Sequence, residues 1–129
     1  VTVGGVHHVA LLARDVGRLA AFYRDVLGLA ELRRHHHEDG RLRSVWLQLG
    51  TGPAFLAVEP ADEGAQGAAP QGPGWFLLAL SIPAAGRSEA RGWLQGRGVE
   101  VERESRWTLY VRDPEGNRVA LSHHPEDPD

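Results

Sequence analysis

Histidine and carboxylate side chains able to hold a metal or move a proton fall in four places. His7 and His8 open the stretch VHHVALLARD (6–15), His35, His36 and His37 run consecutively, Glu59 ends AFLAVE (54–59), and His123 and His124 stand near the end. The chain has no cysteine, so imidazole, carboxylate and backbone oxygen are the donors left for a transition metal. Disulfides, thiolate zinc sites and thiol nucleophiles are excluded on the same ground. All 14 basic residues are Arg, which excludes a Schiff-base lysine. Consecutive strand residues point to opposite faces, so His35, His36 and His37 do not converge on one ion. With Arg33, Arg34, Arg41 and Arg43 around them, they read as a solvated basic hairpin whose field would attract an anion.

The elements that must position these groups are legible from periodicity. Gly5–Ala13 alternates and is rich in Val and Leu, which predicts a strand. Asp15 is a helix N-cap, and Val16, Leu19, Ala20, Tyr23, Val26 and Leu27 fall at helical spacing up to Gly28, the left-handed stop. Strands are predicted over Leu29–His36, Leu42–Leu49 and Ala54–Glu59, with Glu38-Asp39-Gly40 turning the first pair. Residues 61–74 (ADEGAQGAAPQGPG) lack periodicity and read as a linker. The order then recurs: a strand over Trp75–Ile82, a weaker helix from Pro83 to Gln95, Gly98 in the part of Gly28, then strands over Val99–Glu104, Trp107–Arg112 and Val119–Ser122. Asp113-Pro114-Glu115-Gly116 has the residue order of a type I turn. The expected organisation is a single domain over 1–129, with one βαβββ module at 5–60, the linker at 61–74, a second module at 75–124 and a frayed tail at 125–129.

Alternation assigns faces. Val9, Leu11, Val45, Leu47, Leu49, Leu56, Val58, Leu109, Val111, Val119 and Leu121 form an aliphatic face that should lie under the helices. The opposite parity carries His8, Trp46, Gln48, Phe55, Glu59, Tyr110, Ser122 and His124. Large aromatics among polar groups on one sheet face suggest a lined pocket for a small organic ligand. Phe22 and Tyr23, by contrast, belong to an amphipathic helix and read as core. His7 has the aliphatic parity but stands at the strand's start, where an edge or surface position is expected.

The stretches HHVALLARDVGRLAAFYRDVLGL (7–29) and DPEGNRVAL (113–121) resemble the vicinal oxygen chelate superfamily, which includes glyoxalase I, bleomycin- and fosfomycin-resistance proteins and extradiol dioxygenases. The resemblance covers nearly the whole chain. It implies an α+β fold in which two tandem βαβββ modules form a cup-shaped curved sheet, commonly completed by a homodimer. It also implies a metal site with one ligand from each of four strands. Carried over, those positions fall on His8, Ala57, Leu77 or Ala79, and Ala120. Three of the four are hydrocarbon, and one imidazole does not hold a catalytic divalent ion.

Three functions follow as expectations. The first is a binding protein of the antibiotic-resistance type with no cofactor, taking an aromatic or antibiotic-like molecule against Trp46, Phe55 and Tyr110, with His8, Gln48, Glu59 and Ser122 orienting it. The second is a lyase, isomerase or dioxygenase. It would use a divalent Zn, Ni, Mn or Fe on a relocated trio of His8, Glu59 and His124, or metal-free acid–base chemistry by His8 and Glu59. The third is a non-catalytic regulatory module. No GxxxxGK[ST], GxGxxG or GxSxG pattern is present. The net charge of −3 argues against nucleic acid as a partner. No apolar run approaches the ~20 residues of a bilayer span, so no membrane partner is expected and the cytoplasm is the expected compartment.

Overall fold

Asp15 closes the first strand and starts the first helix: its Oδ1 accepts the backbone N–H of Arg18 at 3.0 Å, satisfying a donor the helix leaves open. The computed structural model describes residues 1–67 and 72–128. It divides into two units, 1–67 and 68–129. Within the first, β1 (His8–Ala13) leads to α1 (Val16–Ala21), a π-turn (Phe22–Val26), β2 (Glu31–His36), β3 (Leu42–Gln48) and β4 (Phe55–Pro60). Within the second, β5 (Leu78–Ser81) leads through a 3-10 turn (Ala84–Gly86) to α2 (Arg87–Gly96), β6 (Arg103–Glu104), β7 (Thr108–Arg112) and β8 (Arg118–Ser122). The sheets are ordered β1-β4-β3-β2 and β5-β8-β7-β6. β1–β4 and β5–β8 are parallel and the other pairs antiparallel. Each unit is thus a βαβββ module, and the fold is α+β as expected.

One face of each sheet is the core. In the first unit Val45, Leu47, Leu56 and Val58 are fully buried, as are Leu19, Ala20 and Tyr23 from the helical segment. α1 packs on β3 and β4. In the second unit Leu109, Val111, Val119 and Leu121 are buried, with Leu94 supplied by α2. Each such side chain contributes roughly 2 kcal/mol of burial.

Both helical segments stop on glycine. Gly28 has φ +75° and Gly98 φ +72°, a region other residues enter at a cost. After α2 the Gly98 N–H donates to the Gln95 carbonyl and the Val99 N–H to Leu94, a Schellman closure. In the first unit the closing bond runs from the Leu29 N–H to the Tyr23 carbonyl at 2.9 Å, one residue longer because the π-turn intervenes. Leu29 and Val99, both expected in strands, donate to helix carbonyls instead. β2 begins at Glu31 rather than Leu29, and β6 holds only Arg103 and Glu104. β5 likewise begins at Leu78, later than the expected Trp75.

The turn 113–117 is organised by one carboxylate. Asp113 is 5% exposed. Its Oδ1 accepts the backbone N–H groups of Glu115 and Asn117 at 2.9 and 3.0 Å, and its Oδ2 accepts the Asn117 side-chain amide at 2.9 Å. The residues leading into the expected tail make specific contacts. His123 is 5% exposed, its Nδ1 meets the Glu126 carbonyl, and Arg106 makes a bidentate pair with Asp127 at 2.6 Å. Residues 68–71 of the expected linker, and residue 129, lie outside the described residues.

Candidate ligand-binding face of the first unit

On the first unit's second face, strand order converts residues distant in sequence into a row of rings. Pairing sets His8 beside Phe55 across β1–β4, Gln48 beside Phe55 across β3–β4, and Arg33 beside Trp46 across β2–β3. The His8 and Phe55 rings stack with centroids 5.0 Å apart and planes 9° from parallel. Phe55 and Trp46 stack at 4.4 Å and 24°. His35 meets Trp46 edge-on at 5.0 Å, and the Arg33 guanidinium lies 5.7 Å from the Trp46 centroid. Spacings near the interstrand distance of about 4.8 Å mean the rings stand on the sheet like books on a shelf. Their faces cover one another and their edges point away from the sheet. Phe55 and Trp46 remain partly exposed and His8 exposed. His7 precedes β1 and turns onto this same row, with its Nδ1 2.9 Å from that of His8 and its ring 5.8 Å from Phe55.

The expected polar members of this face stand elsewhere or are already engaged. Gln48 Nε2 donates to the Gly52 carbonyl at 3.3 Å. Glu59 pairs with Leu12, whereas His8 pairs with Phe55. Four register steps separate the two, about 13 Å along the strands. One bond of a small substrate, or one ion, does not span that distance. Among the described residues no group of three or more His, Asp or Glu side chains stands where it could hold one ion, which corrects the expected trio of His8, Glu59 and His124.

The second unit's corresponding face is furnished differently. Thr108 Oγ1 donates to Ser122 Oγ at 3.0 Å, so Ser122 is engaged within its own sheet. Tyr110 lies under the Arg103 guanidinium at 4.8 Å. His124 is exposed and packs edge-on against Trp107 at 4.8 Å. Glu102 lies between Arg112 and Arg118, each 3.1 Å away. Partial burial pushes its carboxyl pKa up, but the two guanidinium hydrogen bonds outweigh burial and hold it below the usual glutamate range.

A family model described as the Glyoxalase/Bleomycin resistance protein/Dioxygenase superfamily matches residues 5–121. The chain belongs to that superfamily. Among solved structures of the same fold is a glyoxalase/dioxygenase from Nostoc punctiforme, at 18% identity and TM-score 0.78, covering 95% of this chain and 92% of the other. The fosfomycin-resistance protein of Listeria monocytogenes, in complex with Mn(II) and sulfate, aligns at 15% identity and TM-score 0.75 over 95% and 93%. A lactoylglutathione lyase from Agrobacterium tumefaciens aligns at 23% identity and TM-score 0.67 over 94% of each chain. No curated protein matches the chain.

The superfamily's metal positions, carried onto this chain, do not fit a metal. Ala57 is 4% exposed and pairs with Ala10 and Trp46. Ala120 is fully buried and pairs with Ala79 and Tyr110. Extending the β5–β8 register by one residue makes Leu77 the counterpart of His8 in the repeat. Methyl and isobutyl groups have no lone pair to offer, so His8 stands without the partners a superfamily site would require.

What sequence reasoning missed is the contribution of β2. Arg33 and His35 read as members of a solvated hairpin, yet pairing turns both toward Trp46. The available signal was their two-residue spacing, which places them on one face. It could not be used without knowing that β2 pairs β3 in this register.

Proposed function

We propose that the chain is a small-molecule-binding member of its superfamily that takes a flat aromatic ligand on the His8–Phe55–Trp46 row and works without a resident metal. The observation that carries this reading is the partly exposed row of ring edges. A ring edge carries the positive end of the aromatic quadrupole, so it attracts the negative face of another ring laid across it. Ala10 occupies the next register line along β1 and is exposed, so its small side chain leaves room beside His8 for such a ring. Hydrocarbon at the superfamily's other ligand positions supports a site that recognises shape and π-surface rather than chelating oxygens. Tyr110 in the second unit, and the pairing of two copies into a homodimer, belong to the same reading.

The test is titration of tryptophan emission with a panel of bicyclic aromatics, on protein prepared without a metal column. Saturable quenching that disappears in Trp46→Phe, with Trp75, Trp93 and Trp107 left in place, is the expected result. A panel that leaves the emission unchanged, or stoichiometric tightly held metal in elemental analysis, overturns the reading. Sedimentation of the same preparation measures the dimer.

A further inference from the structure

We infer that the β2 end of the aromatic row is an anion-recognition element, so that the ligand is an aromatic carboxylate rather than a neutral arene. This rests on the aromatic-ligand reading above and names the class of ligand. The hairpin's charges are not all neutralised. Arg34 is paired with Glu31 at 3.0 Å and Arg41 with Asp39 at 2.7 Å. Arg24, from the π-turn, is taken by Asp25 and Glu31. Arg33 has no acidic partner among the described residues, and its guanidinium lies over the Trp46 ring.

Arg43 is also without an acidic partner among the described residues, but by alternation it lies with Val45 and Leu47 on the opposite side of β3. Arg33 is therefore the hairpin arginine that brings unneutralised charge to the aromatic face.

His35 strengthens the assignment. It follows Arg33 by two residues on the same face and touches Trp46. Its Nε2 is buried with no hydrogen-bond partner among the described residues. Polar atoms left in this condition are uncommon in folded proteins and call for an explanation, such as a partner that arrives with a ligand. A guanidinium fork and an imidazole at the end of a line of ring edges match a planar ring bearing one carboxylate. The ring would lie across Trp46 and Phe55, and its charge would project toward β2.

The test compares 2-naphthoate with 2-naphthamide, equal in shape and different in charge, by tryptophan quenching and calorimetry at low and high salt. Tenfold or greater preference for the naphthoate is expected, shrinking as salt rises. Arg33→Gln should bring the two probes to within about twofold of each other, and His35→Phe should reduce the preference. Arg43→Gln, the same change of net charge on the other face, should leave it intact. Equal binding of the two probes by the natural chain overturns the anion element while leaving the aromatic site standing. Binding of neither overturns both. A preference that survives Arg33→Gln, or falls equally in Arg43→Gln, assigns the effect to overall charge and overturns the proposal.

Discussion

The guanidinium of Arg87 lies 3.0 Å from Nε2 of His123, and both residues are more than nine-tenths buried. Because Nδ1 of that imidazole faces the carbonyl of Glu126, Nδ1 carries the hydrogen and Nε2 accepts from Arg87. The same guanidinium donates to the carbonyls of Ser105 and Arg106 at 2.8 and 3.1 Å. One side chain at the start of α2 therefore fastens the β6–β7 turn and the segment after β8. Arg87→Met and His123→Phe should each lower stability by about 2 kcal/mol, since a buried charge-assisted bond is lost and its partners remain. Their double variant should lose at least about 1 kcal/mol less than the sum. Urea titration of the four proteins gives the cycle.

Asp113 governs its turn through bonds no other residue type reproduces in full. Asp113→Ala leaves two backbone N–H groups and the Asn117 amide without their acceptor. A cost of about 2–3 kcal/mol is expected, with Asp113→Asn falling between that and zero because one amide oxygen still accepts. Thermal unfolding of both variants checks the order.

How much of this was legible beforehand follows the range of the interactions. Asp15, Gly28, Gly98 and the turn at 113–116 act over a few residues, and each does in the structure what its local chemistry predicts. The face containing Trp46 and Phe55 was legible too, because alternation is a local property of a strand. Arg87–His123 was not, since 36 residues separate the partners and no periodicity encodes such a pair. The relocated metal trio failed for a related reason. Parity places His8 and Glu59 on one face, but only the parallel register shows that they stand four steps apart.

Glycine substitutions should have opposite signs at two positions that look alike in sequence. Gly92 lies inside α2, and an added Cβ would meet nothing within 4 Å. Gly92→Ala should therefore stabilise by about 0.5–1 kcal/mol, through helix propensity and a less free unfolded chain. Gly28 has equally open space but φ +75°, so Gly28→Ala should destabilise by about 1 kcal/mol. Denaturant midpoints measured side by side decide the signs.

The Trp46–Phe55 stack predicts a separation of binding from folding. Phe55→Leu keeps an apolar side chain between His8 and Trp46 but removes the flat surface they stack on. Stability should fall by only about 1 kcal/mol, the worth of an aromatic pair beyond its buried area. Affinity for an aromatic probe should fall tenfold or more, about 1.4 kcal/mol, because the middle of the row is gone. Calorimetry and thermal unfolding of one preparation measure the two effects together.

Glu102 supplies a pH-dependent contribution to the second unit's stability. Its folded-state pKa is held below the usual value of 4.5 by Arg112 and Arg118, against the opposing effect of burial. A depressed carboxyl pKa contributes stability that is present above the unfolded-state value and lost as pH falls through the folded-state value. The contribution is at most about 1 kcal/mol, because the carboxylate is nearly one-third exposed and solvent screens it. Glu102→Gln should therefore be less stable than the natural chain at about pH 6, and the gap should close as the pH falls below the usual glutamate range and through the lowered folded-state pKa, where the natural side chain becomes neutral too. Convergence at high pH instead, or a gap independent of pH, would show that the two arginines do not hold this carboxylate in its charged form.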